Sequence, residues 1–151
     1  MAYKYSYDEE EIRVASIKLK TDRGMLKLMI LNILTLGLYS IIFFIPFSFD
    51  LDKIAPKRDR SKTMNYISAY VLSLFTFAIV LDIWHYQIAE RIEEALEKRN
   101  VDYEFGTGDF WGWFFFGSFI LIGPFVYFHK LCKAMNLLCA DYNEDPIILE
   151  K

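Results

Sequence analysis

Apolar and charged positions are segregated along this chain. Residues 28–49, 63–81 and 110–129 contain no Asp, Glu, Lys or Arg. A helix needs about 20 apolar residues to cross roughly 30 Å of hydrocarbon, and each stretch is long enough. A buried helix of a water-soluble domain keeps a polar stripe, and these stretches do not. The pattern predicts an all-α integral membrane protein with three hydrophobic helical segments.

The segments continue into amphipathic tails. In 83–98, Trp84, Ile88, Ile92 and Ala95 share one face, and Glu90, Glu93, Glu94 and Glu97 take the others. In 128–142 the apolar stripe is Phe128, Leu131, Met135, Leu138 and Tyr142. Such faces suit a membrane interface or packing between tails. The expected organisation is a polar arm over 1–23, a membrane domain over 24–143 and a tail over 144–151. In the arm, alternation over 3–7 and 12–19 reads either as a short strand pair or as an irregular segment.

The three segments overlay as approximate repeats, 24–56, 63–99 and 109–143. Their centres read Thr35-Leu36-Gly37-Leu38-Tyr39, Thr76-Phe77-Ala78-Ile79-Val80 and Leu121-Ile122-Gly123-Pro124-Phe125. Spacings of 41 and 45 residues between the centres are repeat-like. Gly suits a helix end and Pro a helix start, so breaks are expected at Gly37 and at Gly123-Pro124. Thirteen residues past each centre stand Asp50, Arg91 and Asn136, on stripes that are apolar in the first two units. We expect these three to form a structural polar cluster, with Asp50 and Arg91 satisfying each other, because an unpaired charge on such a stripe is costly.

Two topologies fit a broken segment, a kinked span or a re-entrant hairpin. Spans would divide the 17 Lys and Arg nearly evenly between the two sides, against the positive-inside tendency. Hairpins would place all of them on one side. An arm of about 13 residues reaches only about 20 Å, and this length argument favours kinked spans.

Composition sharpens the picture in a few respects. A net charge of −3 gives no electrostatic case for nucleic acid. Cys132 and Cys139 lie two helical turns apart, too far for a disulfide. His129, Cys132 and Cys139 share a stripe, but one helix face cannot surround a tetrahedral metal ion. No phosphate-binding loop or zinc-protease motif occurs. Asp82 and His85 are spaced to act as a proton relay on a helix, although Trp84 and Tyr86 beside them suit an interface. Thr35, Ser40, Thr76 and Ser118 have no base at a motif spacing, so they read as helix-capping hydroxyls and not as nucleophiles. The basic run at 57–62 reads as an anionic-lipid contact or as an ordinary loop. No enzyme, cofactor or metal is expected.

Several runs carry a resemblance: Leu19-Lys20-Thr21-Asp22-Arg23-Gly24, the Thr-Leu-Gly-Leu-Tyr at 35–39, Phe110-Trp111-Gly112-Trp113, and the closing run over 129–143 from His129-Lys130-Leu131-Cys132 to Asp141-Tyr142-Asn143. Together they resemble a bacterial family of small multi-pass membrane proteins whose shared domain has no assigned function. Its members often repeat a Thr-Leu-Gly-Ile-Tyr type of element in the second segment, where this chain has Thr-Phe-Ala-Ile-Val. The resemblance implies the bacterial cytoplasmic membrane and no catalytic residue. The expected function is a non-enzymatic packing or interaction protein whose partners are the lipid bilayer and a second copy or another membrane protein. The alternative is a subunit of a small oligomeric transporter or channel.

Overall fold

The computed structural model describes residues 18–54 and 64–146. The basic run at 57–62 and nearly all of the alternating N-terminal arm lie outside them. Among the described residues the chain is helical, without strands.

Each apolar stretch is divided in two. Helix α1 (Met25–Leu34) is followed by a turn and α2 (Tyr39–Ile54). Helix α3 (Tyr66–Phe75) is followed by a turn and α4 (Ile79–Arg99). The third unit descends through the single turn α5 (Thr107–Asp109), a wide π-helical segment (Phe110–Phe115) and a tight 3₁₀ segment (Phe116–Ile120), then returns as α6 (Gly123–Glu144).

The two arms of each unit are antiparallel. In the first, Asn32 Oδ1 accepts from Ser40 N near the turn, and Arg23 pairs with Asp50 at the far end. In the second, Trp84 Nε1 donates to Met64 O at 2.8 Å. In the third, the rings of Phe114 and Tyr127 lie 4.9 Å apart, and Lys130 pairs with Asp109. The kinked-span expectation is therefore corrected. Among the described residues no helix is long and apolar enough to cross a membrane.

The chain reverses because residues in its turns adopt left-handed backbone. Gly37 has φ +93°, Ala78 +69° and Leu121 +63°. For a residue with a Cβ this region costs roughly 1–2 kcal/mol, so the arms must hold it in place. Hydroxyls help to satisfy the freed backbone groups: Thr35 Oγ1 donates to Leu31 O and accepts from Tyr39 N. Ser40 Oγ donates to Gly37 O, and Thr76 Oγ1 to Leu72 O.

The core is a seam between the three returning helices. Counted from the left-handed residue, positions +7, +10, +14 and +17 read Phe44, Phe47, Leu51 and Ile54 in α2. They read His85, Ile88, Ile92 and Ala95 in α4, and Phe128, Leu131, Met135 and Leu138 in α6. All are buried except Phe128, which packs against the core from its edge. This is the 3–4 spacing that lets helices run side by side. At the first level, ring centroids of Phe44 and His85 are 5.2 Å apart, His85 and Phe128 5.5 Å, and Phe44 and Phe128 6.2 Å. Seven residues are about 10 Å of helix, so the three turns lie at equal distance from one shared layer, at the same end of the molecule.

The third hairpin closes through glycine. A Cβ on Gly123 would stand 2.1 Å from Trp113 O and 2.3 Å from the Gly117 backbone, whereas one on Gly108 or Gly112 would meet nothing within 4 Å. Overpacking typically costs about 1–3 kcal/mol and more against backbone. Gly123→Ala should therefore lower the thermal midpoint in mild detergent by an amount equivalent to about 3 kcal/mol, and Gly112→Ala should leave it near the wild-type value. Circular dichroism melting checks both.

Candidate functional site

The two ends of the bundle differ in chemistry. The turn end is apolar and exposed: Leu36 is 92% exposed, Phe77 97% and Leu121 79%. Around them Leu34, Phe75, Phe119 and Ile120 are also exposed. The arms extend this surface into a collar through Ile33, Ile42, Val71, Ile83 and Phe116. Monomers in water rarely expose apolar patches beyond a few hundred Å².

Below the collar, charge begins at a consistent height. Lys27 lies nine residues before Leu36, Glu90 twelve after Ala78, and Lys130 nine after Leu121, or roughly 13–18 Å from the turns. Trp111, half-exposed, stands near the Asp109–Lys130 pair on the same arm. Among the described residues Asp82 is the one charged side chain inside the collar. It sits in the first turn of α4, where the helix dipole favours a carboxylate, and burial raises its pKa.

The opposite end is held by a polar clasp. The extended strap over 18–24 lies along α6. Asn136 accepts from Arg23 N at 2.9 Å and donates to Arg23 O at 2.8 Å. Asn143, two turns on, treats Leu19 in the same way, at 2.6 and 2.9 Å. Each carboxamide replaces the neighbouring strand that extended backbone would otherwise need. Between them Arg23 Nη1 reaches Cys139 Sγ at 3.4 Å, and its Nη2 pairs with Asp50. The Arg23 side chain is 3% exposed and Asp50 14%.

The residues expected to cluster are thus placed as follows. Asp50 and Asn136 meet through Arg23, which the sequence reading did not select. Arg91 pairs with Asp52 at 2.8 Å. The overlay of the third unit shifts by two residues, because its left-handed residue is Leu121 and not Gly123. Position +13 of that unit is accordingly the buried Ala134. Gly37 occupies the first turn with φ +93°. Gly123 opens α6 with Pro124 in its first turn, and its lack of a Cβ admits the facing arm.

The remaining candidates have structural surroundings. His85 is buried within rings of Phe44, Trp84, Phe114, Tyr127 and Phe128. Its Nδ1 has no hydrogen-bond partner among the described residues, so it forms no bond with Asp82 there. An open cleft of about 670 Å³ lies between the end of α4 and the loop leading to α5, lined by Glu93, Glu97, Asp102, Glu104 and Asp109. Two of these carboxylates are engaged: Glu93 accepts from Thr107 N and Oγ1, and Asp109 pairs with Lys130. Among the described residues no set of His, Cys, Asp and Glu is placed to hold a metal ion.

Residues 23–94, which cover the first hairpin and α3 with most of α4, match a family described as a domain of unknown function, DUF4234. The match supports a resemblance to a family without an assigned function, and it stops short of the closing run. No curated protein and no solved structure matches the chain.

Two expectations follow from the clasp. Removing one member of a buried ion pair costs roughly 3–5 kcal/mol, so Arg23→Ala and Asp50→Ala should each destabilise by about that much. The double variant should cost far less than their sum, as read from unfolding midpoints in detergent. Additive effects would show that the pair is not coupled.

The thiols should be inert. Burial pushes Cys132 up to about 12 and Cys139 up to about 11, Arg23 only partly offsetting it. The thiolate is the nucleophile, so maleimide at pH 8 should leave the folded chain unlabelled and modify both cysteines after denaturation. Mass spectrometry reads the difference.

Proposed function

We propose that this chain is a non-enzymatic membrane protein that dips three helical hairpins into one leaflet and crosses to neither side. One observation carries the reading: three exposed apolar turns share one end, above an apolar collar about as deep as half a bilayer. The hydrocarbon core is about 30 Å thick, so one leaflet is about 15 Å. The ten-residue helices α1 and α3 are each about 15 Å long. Hairpins also place every Lys and Arg of the described residues on one side, as the positive-inside tendency prefers.

Lipid supports the turns in a second way. Hydrocarbon hydrogen-bonds no backbone group, and the hydroxyl contacts of Thr35, Ser40 and Thr76 supply partners within the turns themselves. Asp82 enters most readily in its neutral form, the direction in which burial moves it. The partner is the lipid bilayer. The bacterial cytoplasmic membrane as its location rests on the sequence resemblance. Arms ending near the bilayer centre give a single copy no path across, so no observation favours the transporter or channel.

The test places a polarity-sensitive fluorophore on Phe77→Cys, with both native thiols buried, and compares it with the same label on Glu90→Cys. In liposomes the label at 77 should shift to the blue and be quenched by lipids brominated deep in their acyl chains, while the label at 90 should not. A label at 77 that stays water-exposed, on a monomer that remains in solution without detergent, would overturn the proposal.

A further inference from the structure

We infer that the chain is a one-sided wedge that bends the membrane it enters, and this inference rests on the monotopic reading above. All three turns point the same way, because Phe44, His85 and Phe128 meet at one level, each seven residues past its left-handed residue. The polar clasp bars the other end from entering. Arg23, Asp50, Asp52, Arg91 and Asn136 join all three returning helices in one charged layer. A buried charge network cannot follow the arms into hydrocarbon without losing its solvated surroundings. The molecule therefore has one direction of insertion and one depth.

The consequence is an area mismatch. Six helical arms, each about 10 Å across with side chains, occupy roughly 500 Å² of one leaflet and almost none of the other. If inserted protein takes a tenth of one leaflet's area, two leaflets about 30 Å apart match again only in a tube of radius about 300 Å or a sphere of radius about 600 Å. The bundle resists flattening, since its seam is buried at every level from Phe44 to Leu138. The membrane has to adapt to the protein.

The wedge also needs rigidity near its apex, and the structure provides it. Gly117 and Gly123 bring the arms of the third hairpin into backbone contact. The ring cluster of Phe44, Tyr66, Trp84 and His85 fills the space between the first two hairpins. These contacts fix the spacing of the turns, so the inserted area does not shrink as copies accumulate.

The experiment adds the full chain from detergent to preformed vesicles, several times wider than the expected curvature, made of zwitterionic and anionic phospholipid. Protein then enters the outer leaflet only. Electron cryomicroscopy reads vesicle shape, and the label on Phe77→Cys reads insertion in the same samples. At about a tenth of the outer-leaflet area, the vesicles should convert to tubes with radii of roughly 300 Å or to small vesicles with radii of roughly 600 Å. Protein reconstituted equally in both orientations at the same density should leave them spherical. Vesicles that keep their size while the label is quenched by acyl-chain bromine would overturn the wedge and leave the monotopic reading standing. Equal remodelling by the two-sided preparation would also overturn it, because area asymmetry would not be the cause. An unquenched label would remove both.

Discussion

The seam between the three returning helices is the constraint from which the rest follows. Its first level, Phe44 against His85 against Phe128, sets the height of every turn. Its later levels carry Phe47, Ile88 and Leu131, then Leu51, Ile92 and Met135, all fully buried. Because these positions recur at 3–4 spacing, the helices run side by side and keep register. The descending arms then pack back on the outside of a ready-made core. Without the seam, left-handed backbone at Ala78 and Leu121 would have nothing to offset its cost.

Polarity follows from the same register. The seam runs on past the end of the apolar collar, and from there down the faces outside it exchange charge in place of hydrocarbon. Arg23 sits at the junction: its backbone is bracketed by Asn136, its guanidinium lies against Asp50 and Cys139, and the Phe47 ring lies 5.5 Å from it. A planar, permanently charged group with several donors suits such a crowded place better than lysine would.

Much of the helical content was legible, and so were the stripes. Ile88, Ile92, Ala95, Leu131, Met135 and Leu138 stand out because the 3.6-residue period survives in the charged tails. The turn at Gly37 was legible because glycine is the residue that takes positive φ without strain. The turns at Ala78 and Leu121 were not, since nothing local asks alanine or leucine to be left-handed. Taking Gly123 as the third anchor shifted that unit by two residues and put Asn136 beside Asp50 and Arg91 by count. Arg23 was missed because it precedes the apolar stretch, in a segment with no periodicity to read. The choice between continuous and folded-back segments was decided by the turns at Gly37, Ala78 and Leu121, which leave arms such as α1 and α3 only ten residues long.

The clasp joins residues separated by more than a hundred positions, Arg23 to Asn136 and Leu19 to Asn143. The hairpins, by contrast, are local, each closing over a few dozen residues. During synthesis each can form as soon as its returning helix emerges, but the strap has only Asp50 and Phe47 to grip until the last helix is complete. Until then Arg23 is a charge without Asn136 and Cys139, and the edges of α2 and α4 lack their third partner. The fold therefore keeps a record of its own completion. A chain cut short near its C-terminus would hold its first hairpins and leave the strap without its carboxamide brackets, the kind of feature by which a cell's proteases recognise an unfinished chain.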